Sequence, residues 1–141
     1  DVQAVKARMF DPFEYLMHRH QAGLLDTRFA RGLGKVAYHV PCHQRVQNLG
    51  PKTRDVLRLV PGTELEVIER CSGHDGTYGL KSATWANSRK IAKPVVERIA
   101  RAQCDFVSSD CPMAAAHLAA GLEGKPAPQH PLSLLRLAYG I

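Results

Sequence analysis

Three short apolar segments, each followed by a helical pattern, constrain the fold of this chain more than any other feature. They cover residues 35–39, 64–68 and 105–108, and their length and composition are typical of buried strands. Successive strands that are separated by helices pair in parallel through right-handed crossovers. The sequence therefore predicts an α/β fold with a short, mainly parallel sheet flanked by helices.

Acidic residues and prolines mark where the predicted helices begin. Asp11 followed by Pro12 is a typical helix start, and residues 24–33 indicate a second short helix. Further helices are predicted to begin at Pro51, near Met113 and at Pro131. We therefore divide the chain into a helical lead-in over residues 1–34 and an α/β domain over residues 35–141.

The longest predicted helix covers residues 84–102. Ile91, Val95 and Ile99 recur at helical spacing and are expected to form its buried face. Pro94 lies inside this stretch. Because proline lacks the N–H that a helix interior uses, it predicts a kink or a helix that restarts there.

Three of the four cysteines follow the predicted strands. Cys42, Cys71 and Cys111 each come a few residues after a strand, whereas Cys104 precedes the third strand. The carboxyl ends of parallel strands meet at one edge of a sheet, where ligands bind. Thiolates that are brought together there need a counter-charge, which an iron–sulfur cluster or a zinc ion supplies. The sequence therefore predicts a metal site at the C-terminal edge of the strands, with Cys104 as a structural thiol at the opposite edge.

Residues 71–79 are predicted to form a loop that approaches a ligand closely. The loop contains three glycines, which is too many for a regular helix or strand. We expect the amides of Gly73 and Gly76 to donate hydrogen bonds to cluster sulfides or to thiolates. His74 lies three residues after Cys71 and is the candidate for a fourth metal ligand; the alternative is a histidine that hydrogen-bonds the loop or a sulfide.

Composition and charge exclude several classes of protein. The chain of 141 residues is 45% hydrophobic and 23% charged, as is typical of one globular domain. Its net charge of +6 comes from basic residues scattered among acidic ones, without a nucleic-acid-binding motif, so we do not expect nucleic acid as a partner. A basic face toward an acidic partner protein or an anionic lipid is the alternative. There is no transmembrane segment or signal-peptide pattern, and the helix-like sequence at Asp1 indicates a fragment of a longer protein.

From Tyr38 to its end, the chain resembles the cysteine-rich CCG domain. This domain occurs in B-type subunits of heterodisulfide reductase, in the C-type subunits of anaerobic glycerol-3-phosphate dehydrogenase and in iron–sulfur subunits of glycolate and lactate oxidation. The matching segments are residues 38–43, 60–62, 71–79, 110–112 and 130–135. The sequence around Asp11 also resembles the segment that joins two copies of the domain, which implies that this chain is the second copy.

The resemblance implies an electron-transfer module within a dehydrogenase or a heterodisulfide-reductase-like complex. The implied partners are a redox subunit and a quinone-linked complex, and the implied location is the cytoplasm, peripheral at the inner face of the cell membrane. Ser72 replaces the second cysteine of the family's motif, and Met113 and Ala114 follow Cys111-Pro112 where the family has Cys-x-x-Cys. Three thiolates remain, which suffice for a single [4Fe–4S] or [3Fe–4S] cluster. His43 follows Cys42, as in the family, and is expected to lie behind the ligands.

Two other functions remain open from the sequence. The first is a structural zinc site formed by the three cysteines and His74, or a domain without metal, that serves assembly of a complex. The second is a thiol-based enzyme in which Cys111 or Cys71 is the nucleophile and His74 or His43 the base. Cys111-Pro112 begins a helix whose dipole favours a thiolate, which suits a redox thiol as well as a metal ligand.

Overall fold

The computed structural model describes all 141 residues and contains one parallel sheet of three strands. The strands are β1 (Gly34–His39), β2 (Thr63–Ile68) and β3 (Phe106–Ser109), in the order β2-β1-β3. His39 at the end of β1 lies opposite Ile68 on one side and Ser109 on the other. The predicted α/β fold with a short parallel sheet is therefore confirmed, and the three strands end at the same edge.

Seven helices connect and cover the strands. They are α1 (Val2–Lys6), α2 (Pro12–Gln21), α3 (Cys42–Val46), α4 (Lys52–Leu57), α5 (Ser82–Ala102), α6 (Pro112–Ala119) and α7 (Pro131–Tyr139). The helix starts that the sequence predicts at Pro12, Pro51, near Met113 and at Pro131 are confirmed within two residues. No helix is both long and apolar enough to cross a lipid bilayer.

The hydrophobic core has one part on each face of the sheet, because neighbouring residues of a strand point to opposite faces. Val36 belongs to the cluster on one face, with side chains of α2, α4 and α7. Ala37 belongs to the cluster on the other face, with side chains of α5 and α6. The lead-in takes part in the first cluster through Phe13, which is fully buried.

Three features of the helices differ from the sequence predictions. The predicted helix over residues 24–33 is wrong, because this segment is irregular and the N–H groups of Ala30 and Arg31 donate to the carbonyl of Ala138. Helix α5 continues through Pro94 without restarting. Ile91 is not on the buried face of α5; the buried residue there is Ala92, and Ile91 stays partly exposed.

Candidate metal centre

The three cysteines that follow the strands line one cavity at the carboxyl edge of the sheet. Cys42 is the first residue of α3, Cys71 comes three residues after β2, and Cys111 comes two residues after β3. All three line a cavity of about 500 Å³. Cys104, just before β3, lies at the other end of that strand and packs against the apolar cluster under α5. The structure thus places three thiols at one edge of the sheet and the fourth at the opposite edge.

Backbone amides point at two of the sulfur atoms. The N–H of Gly73 donates to Sγ of Cys71 at 3.3 Å. Cys111 is the N-cap of α6, and its Sγ accepts from the N–H of Ala114 at 3.4 Å. Because amide dipoles and a helix N-terminus favour negative charge, these contacts stabilise the thiolate over the thiol. The two sulfur atoms are therefore suited to bind a metal.

Gly73 brings the cysteine loop against α5. Its φ of +79° is in the left-handed region, which side chains rarely adopt, and a Cβ atom there would lie 2.3 Å from the carbonyl oxygen of Ser88. Only glycine permits both the conformation and the close approach. The loop thus has a fixed position over the cavity.

His39 joins the ends of all three strands. Its Nε2 lies 2.8 Å from the carbonyl oxygen of Arg70, and its Nδ1 lies 3.1 Å from Oγ of Ser109. A carbonyl can only accept, so Nε2 carries the proton and Nδ1 accepts from the serine hydroxyl. Burial lowers the pKa of His39, which keeps the ring neutral. The prediction of a core histidine with satisfied hydrogen bonds is confirmed.

His117 on α6 supports the cysteine loop from behind. The hydroxyl of Ser88 donates to the carbonyl of Gly73 at 2.7 Å, and Ser88 Oγ lies 2.9 Å from Nε2 of His117. Since the single hydroxyl proton is used on Gly73, Nε2 of His117 is the donor in the second bond. Burial lowers the pKa of His117 as well. The chain from His117 through Ser88 to Gly73 therefore connects two helices to the loop.

A buried ring of four polar side chains lies behind Cys111. Tyr38 Oη contacts Oδ2 of Asp110 at 2.5 Å and Oε1 of Gln44 at 2.9 Å. Thr53 Oγ1 donates to Oδ1 of Asp110 at 2.8 Å and accepts from Nε2 of Gln44 at 3.1 Å. Four contacts require four protons, whereas Tyr38, Thr53 and the Gln44 amide supply three.

A protonated Asp110 supplies the fourth proton of this ring. Burial raises the pKa of Asp110, which favours the protonated form, and burial next to Asp110 also raises the pKa of Tyr38. The sequence-based expectation that Asp110 bonds loop amides is wrong, because its oxygens contact the side chains of Tyr38 and Thr53 instead.

The donors suit a body larger than one ion. No three His, Cys, Asp or Glu side chains lie close enough together to hold a single metal ion, and zinc requires sulfur ligands at about 2.3 Å. The cavity that the three thiols share is large and open to Cys42 and Cys71, which are exposed. A multi-atom cluster fits this arrangement without the thiols closing on one point.

The other predicted site residues divide into two groups. Gly73, Gly76 and His74 line the same cavity as the cysteines. His43 does not, although it follows Cys42 in α3. His74 hydrogen-bonds the loop through its backbone, since its carbonyl accepts from the N–H of Gly79 at 2.7 Å.

Sequence reasoning missed Ser88 and the ring around Asp110. Ser88 sits in a helix where only a buried polar residue on the inner face of α5 signals its role. Thr53 and Asp110 are 57 positions apart, and nothing local in the sequence indicates that they meet.

The fold and the cysteine cavity define a class of protein that the comparisons identify. The family model of the cysteine-rich domain, CCG, matches residues 36–119. The chain belongs to this family.

Two relatives are similar to the chain over part of their length. The chain is 38% identical over 78 residues to the C-type component of the anaerobic glycerol-3-phosphate dehydrogenase of Escherichia coli, which covers 55% of the chain and 20% of that protein. It is 32% identical over 113 residues to the B-type component of the fumarate reductase (CoM/CoB) of Methanothermobacter marburgensis, covering 74% of the chain and 23% of that protein. The chain thus spans less than a quarter of either relative. No solved structure gives a significant match.

Proposed function

We propose that this domain is an electron-transfer module that binds one iron–sulfur cluster through Cys42, Cys71 and Cys111. The observation that carries the proposal is the meeting of three sequence-distant thiols in one cavity. Membership of the CCG family supports it, as do relatives that are subunits of a dehydrogenase and of a reductase. The partner is accordingly a redox subunit of a larger complex, linked to a membrane quinone or another carrier at the inner face of the cell membrane.

The residues around the cavity would hold and tune the cluster. Cys71 and Cys111 would bind as thiolates, and the amides of Gly73 and Ala114 that already point at them would stabilise the charge. His74 lines the cavity and is the proposed fourth ligand, with Gly76 supplying a further amide. When bound, a [4Fe–4S] or [3Fe–4S] cluster supplies a one-electron carrier. The chain itself binds, orients and partly shields it.

Anaerobic reconstitution with iron and sulfide tests this proposal. The protein should take up iron and labile sulfide, become brown and give an electron paramagnetic resonance signal on reduction or oxidation. Serine variants of Cys42, Cys71 and Cys111 should each lose most of the iron. Cys104→Ser is the matched control, because Cys104 is a thiol of the same chain outside the cavity. Equal iron content in all four variants would contradict the ligand assignment.

A structural zinc site formed by the three cysteines and His74 is the second candidate. It is motivated by Ser72, a serine where the family's motif has a cysteine. Zinc would require the thiols to move closer together, since no three donors now converge on one point. Stoichiometric zinc without iron in anaerobically purified protein would select this function over electron transfer.

The same preparations test His74. If His74 is the fourth ligand, His74→Ala should convert the [4Fe–4S] signal to that of a [3Fe–4S] cluster, or change its g-values. His43→Ala is the control, because His43 follows Cys42 but does not line the cavity. An unchanged signal in His74→Ala would remove this residue from the ligand set.

A further inference from the structure

Four large apolar side chains are exposed at or beside the mouth of the cysteine cavity. Leu80, Trp85, Ile91 and Met113 are each between 43% and 66% exposed. Ile91 and Met113 line the cavity, and Leu80 is two positions beyond Tyr78, which lines it too. We refer to these four residues as the apolar rim. Their exposure around one opening is unlike isolated surface hydrophobics and is typical of interaction sites.

Trp85 is held rigidly within this rim. Its ring meets the edge of His117 at 5.4 Å between centroids, and His117 lies 6.1 Å from His74, which lines the cavity. The guanidinium of Arg89 lies 5.5 Å from the indole centroid and also donates to the carbonyl of His117. A fixed, partly exposed tryptophan loses little entropy on binding, which is why such residues dominate protein interfaces.

Positive charge surrounds the apolar rim. Residues 70–96 carry five cations and one carboxylate, that of Asp75. Arg70 lines the cavity, Lys81 follows Leu80 and Lys90 precedes Ile91. These three cations are exposed and take part in no ion pair. Their charge is therefore available to an approaching molecule.

We infer that the apolar rim, with Arg70, Lys81 and Lys90, is the docking surface for an electron-transfer protein whose own contact face is acidic. The inference rests on the proposed function and names the chemistry of its partner. Electron transfer requires close approach to the cavity, and exposed cations steer an acidic partner to it. A membrane surface fits less well, because α5 buries its apolar side in the core and offers no continuous apolar face to lipid.

Electron transfer from a reduced plant-type [2Fe–2S] ferredoxin, a small acidic protein, tests the surface. In the cluster-loaded protein the second-order rate constant should fall about 10-fold or more between about 10 mM and 300 mM ionic strength. The double variant Lys81→Glu/Lys90→Glu should lose about the same factor at low salt and show little salt dependence. Trp85→Ala should lower the rate at both salt concentrations. Arg136→Glu is the charge-reversal control, because Arg136 is an exposed residue of α7 on the opposite face of the sheet.

Carbodiimide cross-linking of the metal-free protein to the same ferredoxin separates this inference from the proposed function. Mass spectrometry should find the cross-links at Lys81 and Lys90 whether or not a cluster can be loaded. Cross-links spread evenly over the lysines would overturn the inference. So would a charge-reversal variant whose cluster potential changes while its salt dependence does not, since the cations would then only neutralise the cluster. Loss of binding to vesicles of phosphatidylcholine and phosphatidylglycerol in that variant, with unchanged ferredoxin rates, would instead make this a lipid-binding face.

Discussion

Gly73 and Gly76 share a left-handed backbone conformation but differ in what surrounds them. A Cβ atom on Gly73 would meet the backbone of α5, whereas one on Gly76 would meet nothing within 4 Å. The two residues therefore separate the cost of the backbone angle from the cost of the close approach. Both belong to the loop that carries Cys71.

Gly73→Ala should destabilise the protein more than Gly76→Ala. The left-handed angle alone costs about 1–2 kcal/mol for alanine, and this cost applies to both variants. In Gly73→Ala the loop must also move away from Ser88 and Ala92, which should reduce the amount of bound iron. Urea unfolding and iron analysis of the two variants measure the difference, and equal losses would mean that the contact with α5 does not fix the loop.

Asp110 should make the metal-free protein less stable as the pH rises above about 4. Its pKa in the folded protein is raised above the ordinary value of 3.8 by burial. The folded state therefore holds the proton more tightly, and this stabilisation is present at low pH and lost as the pH rises through the raised pKa. Asparagine can donate at the same position without ionising, so the stability of Asp110→Asn relative to the parent should increase with pH.

Urea unfolding of both proteins between pH 3.5 and 7 measures this relative stability. Asp55→Asn is a suitable control, because Asp55 is a half-exposed residue of α4 outside the ring. A difference between Asp110→Asn and the parent that stays constant over this range would contradict a protonated Asp110.

At the scale of the element, α2 is the part of the lead-in that joins the core. Asp11 caps this helix by accepting from the N–H groups of Phe13 and Glu14, and the carboxylate of Glu14 accepts from the N–H of Asp11 in return. The capping box sets the first turn of α2, and the fully buried Phe13 anchors that turn to α4 and α7. The lead-in is thus tied to the domain by one aromatic residue in particular.

Phe13→Ala should cost about 3–5 kcal/mol of stability, as is usual for a buried phenylalanine. Phe10→Ala is the matched control and should cost little, because Phe10 is exposed and its ring packs on Tyr15 and His18. Thermal and urea unfolding measure both. If the two variants have the same stability, residues 1–34 fold independently of the α/β domain.

The strands and most helix starts could be predicted because their signals are local. Prolines at positions 12, 112 and 131 each stand at the first position of a helix. The irregular course of residues 24–33 could not be predicted, because the N–H groups of Ala30 and Arg31 are satisfied by Ala138, more than 100 residues away. Helix α3 was missed because it is only five residues long and has no side-chain cap.

At the scale of the whole molecule, two buried histidines join separate elements into one unit. His39 links the ends of the three strands, and His117 links α6 to α5 and the cysteine loop. Cys42, Cys71 and Cys111 could be assigned to one edge from topology alone, since each follows a parallel strand. The histidine contacts could not, because they depend on tertiary packing between residues that are 29 to 70 positions apart.

The metal-free protein should lose stability as the pH falls below about 6.5. Burial lowers the pKa of His39 and His117 below that ordinary value, so the folded state resists their protonation. The stabilisation is present above pH 6.5 and lost as the pH falls toward the lowered pKa values. His117→Gln keeps a donor toward Ser88 and should flatten the profile between pH 7 and 5, even if its stability at pH 7 is lower.

Chemical unfolding at several pH values measures this profile, with His18→Gln as the control on the surface of α2. A profile in His117→Gln as steep as that of the parent would assign the acid sensitivity to other groups.

The dispersal of the three thiols along the chain has a consequence for biogenesis. Cys42, Cys71 and Cys111 meet only after both neighbours of β1 have docked beside it, so no nascent or partly folded stretch can assemble the trio. Loading with inorganic cargo would thus come last, after the polypeptide has matured. The colour of the finished protein would then report that its sheet is complete.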